Sequence, residues 1–130
     1  MVENNSERIL VIEDDQFLRE LYEELLKDEG YSVDMAADGE EGLKKFHEGG
    51  YNLVLLDIML PKIDGLEILR KSQENKPKKE NGPVVLLTNL GQDSIIKEGF
   101  SLGASGYLVK SAMNPDQVLN EIKVFLKKDK

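Results

Sequence analysis

Apolar and polar positions alternate in blocks along the chain. Arg8-Ile-Leu-Val-Ile12 is a short, nearly continuous apolar run of β-branched type, which predicts a buried strand. Beyond it, Phe17, Leu18, Leu21, Tyr22, Leu25 and Leu26 recur at helical spacing, and Gly30 closes that helix. Ser32 to Ala36 predicts a second, weaker strand, and Gly39 to Glu48 a short helix carrying Leu43 and Phe46 and ending at Gly49-Gly50. Leu53-Val-Leu-Leu-Asp57 is the clearest buried strand, and Gly65 to about Gln73 a helix with Leu66, Ile68 and Leu69 as core contacts. The stretch from Glu74 to Pro83 is polar or turn-forming and predicts an exposed loop. Val84 to Leu87 is a fourth strand, Gln92 to Leu102 a helix marked by Ile95, Ile96, Phe100 and Leu102, and Tyr107 to Val109 a fifth strand. Asn114 suits a cap and Pro115 a first helical turn. Val118, Leu119, Ile122, Phe125 and Leu126 then form one apolar face, with Lys127, Lys128 and Lys130 at the negative end of the helix dipole.

Five strands alternating with five helices imply crossover connections, hence an α/β fold with a parallel sheet covered on both faces. Sites in open sheets of this kind form at the carboxyl ends of the strands. There the chain carries Glu13, Asp14 and Asp15 after the first strand, Asp57 at the end of the third, Thr88 and Asn89 after the fourth and Lys110 after the fifth. With a strand order of 2-1-3-4-5, three carboxylates, a hydroxyl and an ammonium would converge on one edge. Crowded carboxylates resist ionisation unless a cation joins them. Oxygen ligands without His or Cys suit a hard ion, Mg²⁺ or Mn²⁺. Lys110 and Thr88 could hold phosphoryl oxygens, and Asp57, between them, is placed as a carboxylate nucleophile able to form an acyl phosphate. Asp15 is most simply a helix cap or first-turn acid.

The length of 130 residues suits one domain, and 40% hydrophobic content excludes disorder for the bulk of it. The absence of cysteine excludes a disulfide framework and a thiol nucleophile. With 17 Lys+Arg against 25 Asp+Glu, the net charge of −8 argues against direct nucleic-acid binding and against an anionic membrane surface. The polar start, Met1 to Glu7, is not a targeting segment, and no apolar run could insert into a bilayer. His47 is the single histidine, and its neighbours Lys45, Glu48 and Gly49 describe a solvated helix end. No Gly-x-x-x-x-Gly-Lys loop is present for direct use of ATP.

Four motifs carry a resemblance: Ile9-Leu-Val-Ile-Glu-Asp-Asp15, Leu55-Leu-Asp-Ile-Met-Leu-Pro-Lys-Ile-Asp-Gly65, Val84-Val-Leu-Leu-Thr88 and Gly103-Ala-Ser-Gly-Tyr-Leu-Val-Lys110. From about Arg8 to Leu126 the chain resembles the receiver domain of two-component response regulators, the chemotaxis-regulator-like fold. The resemblance implies a flavodoxin-like doubly wound sheet of order 2-1-3-4-5 with helices on both faces. It implies Asp57 as phosphoacceptor. Glu13 and Asp14 would be the acidic pair holding Mg²⁺, with Asp57 and the backbone carbonyl of Met59 completing the ligands. Lys110 would bind the phosphoryl group, Thr88 would be the switch hydroxyl and Tyr107 the aromatic that follows it, while Pro61 and Gly65 shape the site loop. The output surface would run roughly from Gln92 to Leu126.

Two positions depart from the pattern: Ser111 stands where the family commonly has Pro, often after a cis peptide bond, and Asn89 where a small residue is common. Met59, Asn89 and Leu90 border the phosphoryl site and tune lifetime; Met59 and Leu90 are apolar and orient no water, which predicts slow self-dephosphorylation. The expected organisation is a flexible N-terminus over 1–7, a receiver over 8–128 and a tail at 129–130. The receiver pattern fills the chain, so output is expected to pass through a downstream protein partner. A sensor histidine kinase or histidine phosphotransfer protein would donate the phosphoryl group, and the chain would be cytoplasmic and a monomer or a phosphorylation-dependent dimer. A receiver that docks without phosphorylation is an alternative. An aspartate-nucleophile phosphohydrolase is a more distant one, because it would carry a second Asp where Met59 stands. A flavodoxin-type cofactor binder would need a Ser/Thr-rich phosphate loop where Glu13-Asp14-Asp15 stands.

Overall fold

Each apolar run forms a strand. In the computed structural model, which describes residues 7–89 and 93–128, the order is β1 (Arg8–Ile12), α1 (Gln16–Asp28), β2 (Ser32–Ala36), α2 (Gly39–Glu48), β3 (Leu53–Asp57), α3 (Gly65–Glu74), β4 (Val84–Thr88), α4 (Asp93–Ser101), β5 (Gly106–Val109) and α5 (Pro115–Lys128), with a 3-10 turn at Lys110–Ala112 before α5. Of the expected tails, residues 1–6 and 129–130 lie outside the described residues, as do Leu90 and the expected first residue of the fourth helix, Gln92.

The strands pair in parallel in the order β2-β1-β3-β4-β5, the expected order. The central strands β3 and β4 are buried throughout, which is why their sequences are continuously apolar. The edge strands β2 and β5 keep polar or exposed positions such as Ser32 and Tyr107.

Alternation along the strands builds two cores. Leu10, Ile12, Val54, Leu56 and Leu86 face α2, α3 and α4, where Phe46, Ile68 and Leu69 cover them. Ile9, Val11, Leu53, Leu55, Val85, Leu87 and Leu108 face α1 and α5, beneath Tyr22, Leu26, Val118, Ile122 and Leu126. Each such side chain stabilises the fold by roughly 1.5–3 kcal/mol.

Local chemistry sets the helix ends. Asp15, Asp38 and Asp64 cap α1, α2 and α3 by accepting from the N–H of Leu18, Glu41 and Glu67 at 3.1, 2.8 and 2.9 Å. Asn114 and Gln117 form a reciprocal capping box at the start of α5, at 2.9 and 2.8 Å. After α1, Gly30 adopts φ +93° and donates to the Lys27 carbonyl.

Two residues of the helical apolar pattern are exposed. Phe17 is 73% exposed. It sits in the first turn of α1, where a helical side chain leans back toward the N-terminus. Phe100, on α4, is also exposed and meets Tyr107 edge-on at 6.2 Å. The Glu74–Pro83 loop is exposed over most of its length, but its end is stitched down: Asn81 accepts from Tyr51 N–H and donates to the Phe46 carbonyl.

Candidate functional site

Strand register decides what meets at the carboxyl edge. Ile12 is level with Leu56, so Glu13 and Asp57 stand side by side. Asp57 is level with Leu87, Leu87 with Leu108, and Lys110 lies two residues further on, at the start of the 3-10 turn that follows β5. Glu13, Asp57 and Lys110 continue the parity of Val11, Leu55 and Leu108, so all three fall on the α1/α5 side. Thr88 has the opposite parity. Two inter-strand steps of about 4.8 Å separate β3 from β5, a gap that the long lysine stem spans.

Lys110 Nζ lies 2.9 Å from Asp57 Oδ2 and 3.0 Å from Glu13 Oε1. Glu13 is wholly buried, and Asp57 and Thr88 nearly so. Carboxylate oxygens of Glu13, Asp14 and Asp57 lie within 4.8 Å of one another, with Asp14 exposed at the mouth. Glu13 Oε2 accepts from Asp15 N–H at 3.0 Å, and Asp57 Oδ1 from Met59 N–H at 3.2 Å. Glu13 Oε1 is buried and, despite its ion pair with Lys110, takes part in no hydrogen bond.

Burial first, and then the neighbouring Asp57, push the Glu13 carboxyl up to about 7. Burial alone would lower Lys110, but its pairing with the Asp57 and Glu13 carboxylates outweighs that and holds it above the usual lysine value. Tyr22, packed beneath the cluster, is raised to about 12 by burial and then by the charge of Glu13. One ammonium among three carboxylates leaves negative charge uncompensated. An all-oxygen donor set with a buried oxygen lacking a hydrogen bond fits a hard divalent cation such as Mg²⁺.

The remaining expected residues sit around this centre. The Thr88 hydroxyl donates to the Asn89 carbonyl at 3.2 Å, and Asn89 is exposed. The Met59 side chain is exposed at the rim. Pro61 lies in the loop from Ile58 to Asp64, and Gly65 ends it, with its N–H on the Ile58 carbonyl at 2.9 Å. A Cβ on Gly65 would come within 2.5 Å of the Asp57 carbonyl oxygen, so this close approach requires glycine. Tyr107 faces outward against Phe100. No cis peptide bond occurs among the described residues, Lys110–Ser111 included.

Sequence reasoning missed Arg19. Its guanidinium donates to the carbonyls of Glu13 at 2.9 Å and Asp14 at 3.2 Å, fixing the backbone that presents both acids. The available signal was a basic residue in the opening turns of α1, where the helix dipole disfavours it unless carbonyls take up its protons.

An open doubly wound sheet with a lysine-bridged acidic cluster at its carboxyl edge places the chain among phosphorelay signalling switches. The model of the response regulator receiver domain matches residues 9–123, and the chain belongs to that family. It is 34% identical over 128 residues to the transcriptional regulatory protein ResD of Bacillus subtilis, covering 98% of this chain and 51% of that protein. It is 41% identical over 117 residues to the transcriptional regulatory protein DltR of Streptococcus agalactiae, covering 90% and 50%. The chain thus spans about half the length of these curated relatives. Among solved structures, a CheY-like receiver domain protein from Methanospirillum hungatei superposes with a TM-score of 0.84 at 31% identity, covering 96% of this chain and 97% of that one. The response regulator TrrA of Thermotoga maritima, solved in complex with Mg²⁺ and BeF, superposes with a TM-score of 0.74 at 39% identity, covering 92% and 98%.

Family members are two-component response regulator receivers, phosphorylated on an aspartate with Mg²⁺ bound in an acidic pocket, and they interact with histidine kinases; they are generally not turnover enzymes. Among the described residues no helix is long and apolar enough to cross a membrane.

Proposed function

We propose that residues 8–128 form a receiver whose phosphoacceptor is Asp57. The observation that carries this is the buried Asp57 carboxylate, paired with Lys110 at 2.9 Å and flanked by Glu13 and Asp14. Glu13, Asp14, Asp57 and the Met59 carbonyl would hold Mg²⁺, which when bound supplies positive charge to phosphoryl oxygens. A carboxylate oxygen of Asp57 attacks the phosphorus of a phosphohistidine. The new O–P bond forms as the P–N bond breaks, and the donor's imidazole leaves with the electron pair. Lys110 neutralises an oxygen of the transferred group, as phosphoryl transfer depends on positioning and charge neutralisation. Thr88 then turns its hydroxyl from the Asn89 carbonyl toward the phosphoryl group. Tyr107 follows, and the face formed by α4, β5 and α5 changes its fit for a partner. Phosphorylation biases a two-state element already in the domain.

The chain catalyses only its own phosphotransfer and dephosphorylation on this reading. It works in the cytoplasm, its donor is a sensor histidine kinase or histidine phosphotransfer protein, its target is a downstream protein, and it is a monomer or a phosphorylation-dependent dimer. Met59, Asn89 and Leu90 set how long the aspartyl phosphate lasts. Labelling with a small phosphodonor such as acetyl phosphate tests the assignment. Asp57→Asn is expected to abolish incorporation, and undiminished labelling would refute it.

A further inference from the structure

The loop between β3 and α3 carries Met59 past the carboxylates, and its tip is held from outside. The Pro61 carbonyl accepts from Ile63 N–H at 2.8 Å and from Gly39 N–H at 3.1 Å. Between Pro61 and Ile63, Lys62 has φ +71°, the one non-glycine residue with positive φ among the described residues. A three-residue hydrogen-bonded turn with positive φ at its centre is the rarer, strained form of γ-turn. A lysine does not favour it, so the surroundings must impose it.

The start of α2 does so. A Cβ on Gly39 would lie 1.5 Å from the Ile63 carbonyl oxygen, so only glycine lets the turn seat there. Lys62 Nζ also reaches Oδ2 of Asp38, the α2 cap, at 3.4 Å. Three residues before Gly39, the Ala36 carbonyl accepts from Glu13 N–H at 3.1 Å. The short segment from Ala36 to Gly39 therefore touches the backbone of Glu13 on one side and the Pro61–Ile63 turn on the other. The first carries an acid of the carboxylate site, and the second belongs to the loop that carries Met59.

We propose that Gly39 is a positioning residue for cation binding: by seating the Pro61–Ile63 turn against the start of α2, it sets the spacing between the Met59 carbonyl and the Glu13–Asp14 pair. This rests on the reading that those groups hold Mg²⁺. A side chain at position 39 expels the turn, the strain at Lys62 relaxes, and Met59 moves away from the acids.

Titration with Mg²⁺ alone, by calorimetry and by amide NMR, tests it. Gly39→Ala is expected to weaken Mg²⁺ binding about tenfold or more, as loss of outer-shell support does at other metal sites. Its Met59 and Gly65 amide resonances shift before any metal is added. Lys62→Val, which disfavours positive φ, weakens binding several-fold, whereas Lys62→Gly keeps the turn and binds within about twofold of the parent although it too lacks the ion pair to Asp38. Should Gly39→Ala fail to fold, the two Lys62 variants decide alone. Parental affinity in both Gly39→Ala and Lys62→Val overturns the proposal. So does equal loss in the two Lys62 variants, which would make charge the cause. If Asp14→Asn binds Mg²⁺ as the parent does, the cation-site reading itself is overturned.

Discussion

The two edges of the sheet handle polar groups in opposite ways. At the amino edge, Arg8 Nη2 pairs with Asp34 at 3.3 Å, Tyr51 donates its hydroxyl to the same carboxylate at 2.7 Å, and the guanidinium lies 4.5 Å from the centre of the Tyr51 ring. Arg8 N–H donates to Asn52 Oδ1, and Tyr51 N–H to Asn81 Oδ1. One cation meets one anion there. At the carboxyl edge, one ammonium faces three carboxylates, and a buried oxygen of Glu13 lacks a hydrogen bond. The same parallel backbone carries both edges. The balanced one is a structural clasp, and on the proposed function the unbalanced one is held ready for a cation and a phosphoryl group.

The largest effect that would sharpen this contrast comes from Lys110. Lys110→Ala leaves two buried carboxylates facing each other, and is expected to lower stability by about 3 kcal/mol in urea unfolding. It should also cut phosphodonor labelling severely. A labelling rate equal to the parent's would break the contrast.

At the amino edge, Tyr51→Phe removes one hydrogen bond to a charged acceptor that still has Arg8. A loss of about 1–2 kcal/mol with unchanged labelling is expected. Reduced labelling would mean that the clasp is coupled to the site.

Glu13→Gln should have the opposite sign. With the Glu13 carboxyl at about 7 in the fold against an ordinary 4.5, the folded chain holds this proton more tightly than the unfolded one. Its stabilising contribution is therefore full below pH 4.5 and is lost as pH rises through about 7. Metal-free Glu13→Gln should be more stable than the parent by about 1 kcal/mol at roughly pH 8, with a flatter profile between roughly pH 5 and 8. Mg²⁺ should restore the parent. A parent profile as flat as the variant's would contradict the crowding argument.

The smallest effect concerns Met59, 58% exposed at the rim. Met59→Asn gives a water a hydrogen-bonding partner beside Asp57 and should speed phosphate loss a few-fold. A rate equal to or below the parent's would remove Met59 as a tuning position.

Most of the fold was legible because strand ends and helix caps follow from local chemistry. Continuous apolar runs marked β1, β3 and β4, and Asp15 and Asn114 marked caps that the structure forms. Glu13, Asp57 and Lys110 were legible as a set because each stands at the carboxyl end of a strand, and register then brings them together. Contacts between distant segments were not legible. The grip of Arg19 on two carbonyls, the stitching of Asn81 to Tyr51 and Phe46, and the seat that Gly39 provides for the Pro61–Ile63 turn depend on tertiary placement. The exposure of Phe17 was not legible either, because periodicity reports which face of a helix is apolar, not how far each residue on it is buried.

The central claim is that the unbalanced edge accepts a phosphoryl group on Asp57 with Mg²⁺ bound. Mapping the residue labelled by acetyl phosphate, with Mg²⁺ and after chelation, tests it most directly. The account predicts label on Asp57 alone, lost when the metal is removed. Label on any other residue, or label that survives chelation undiminished, would contradict it.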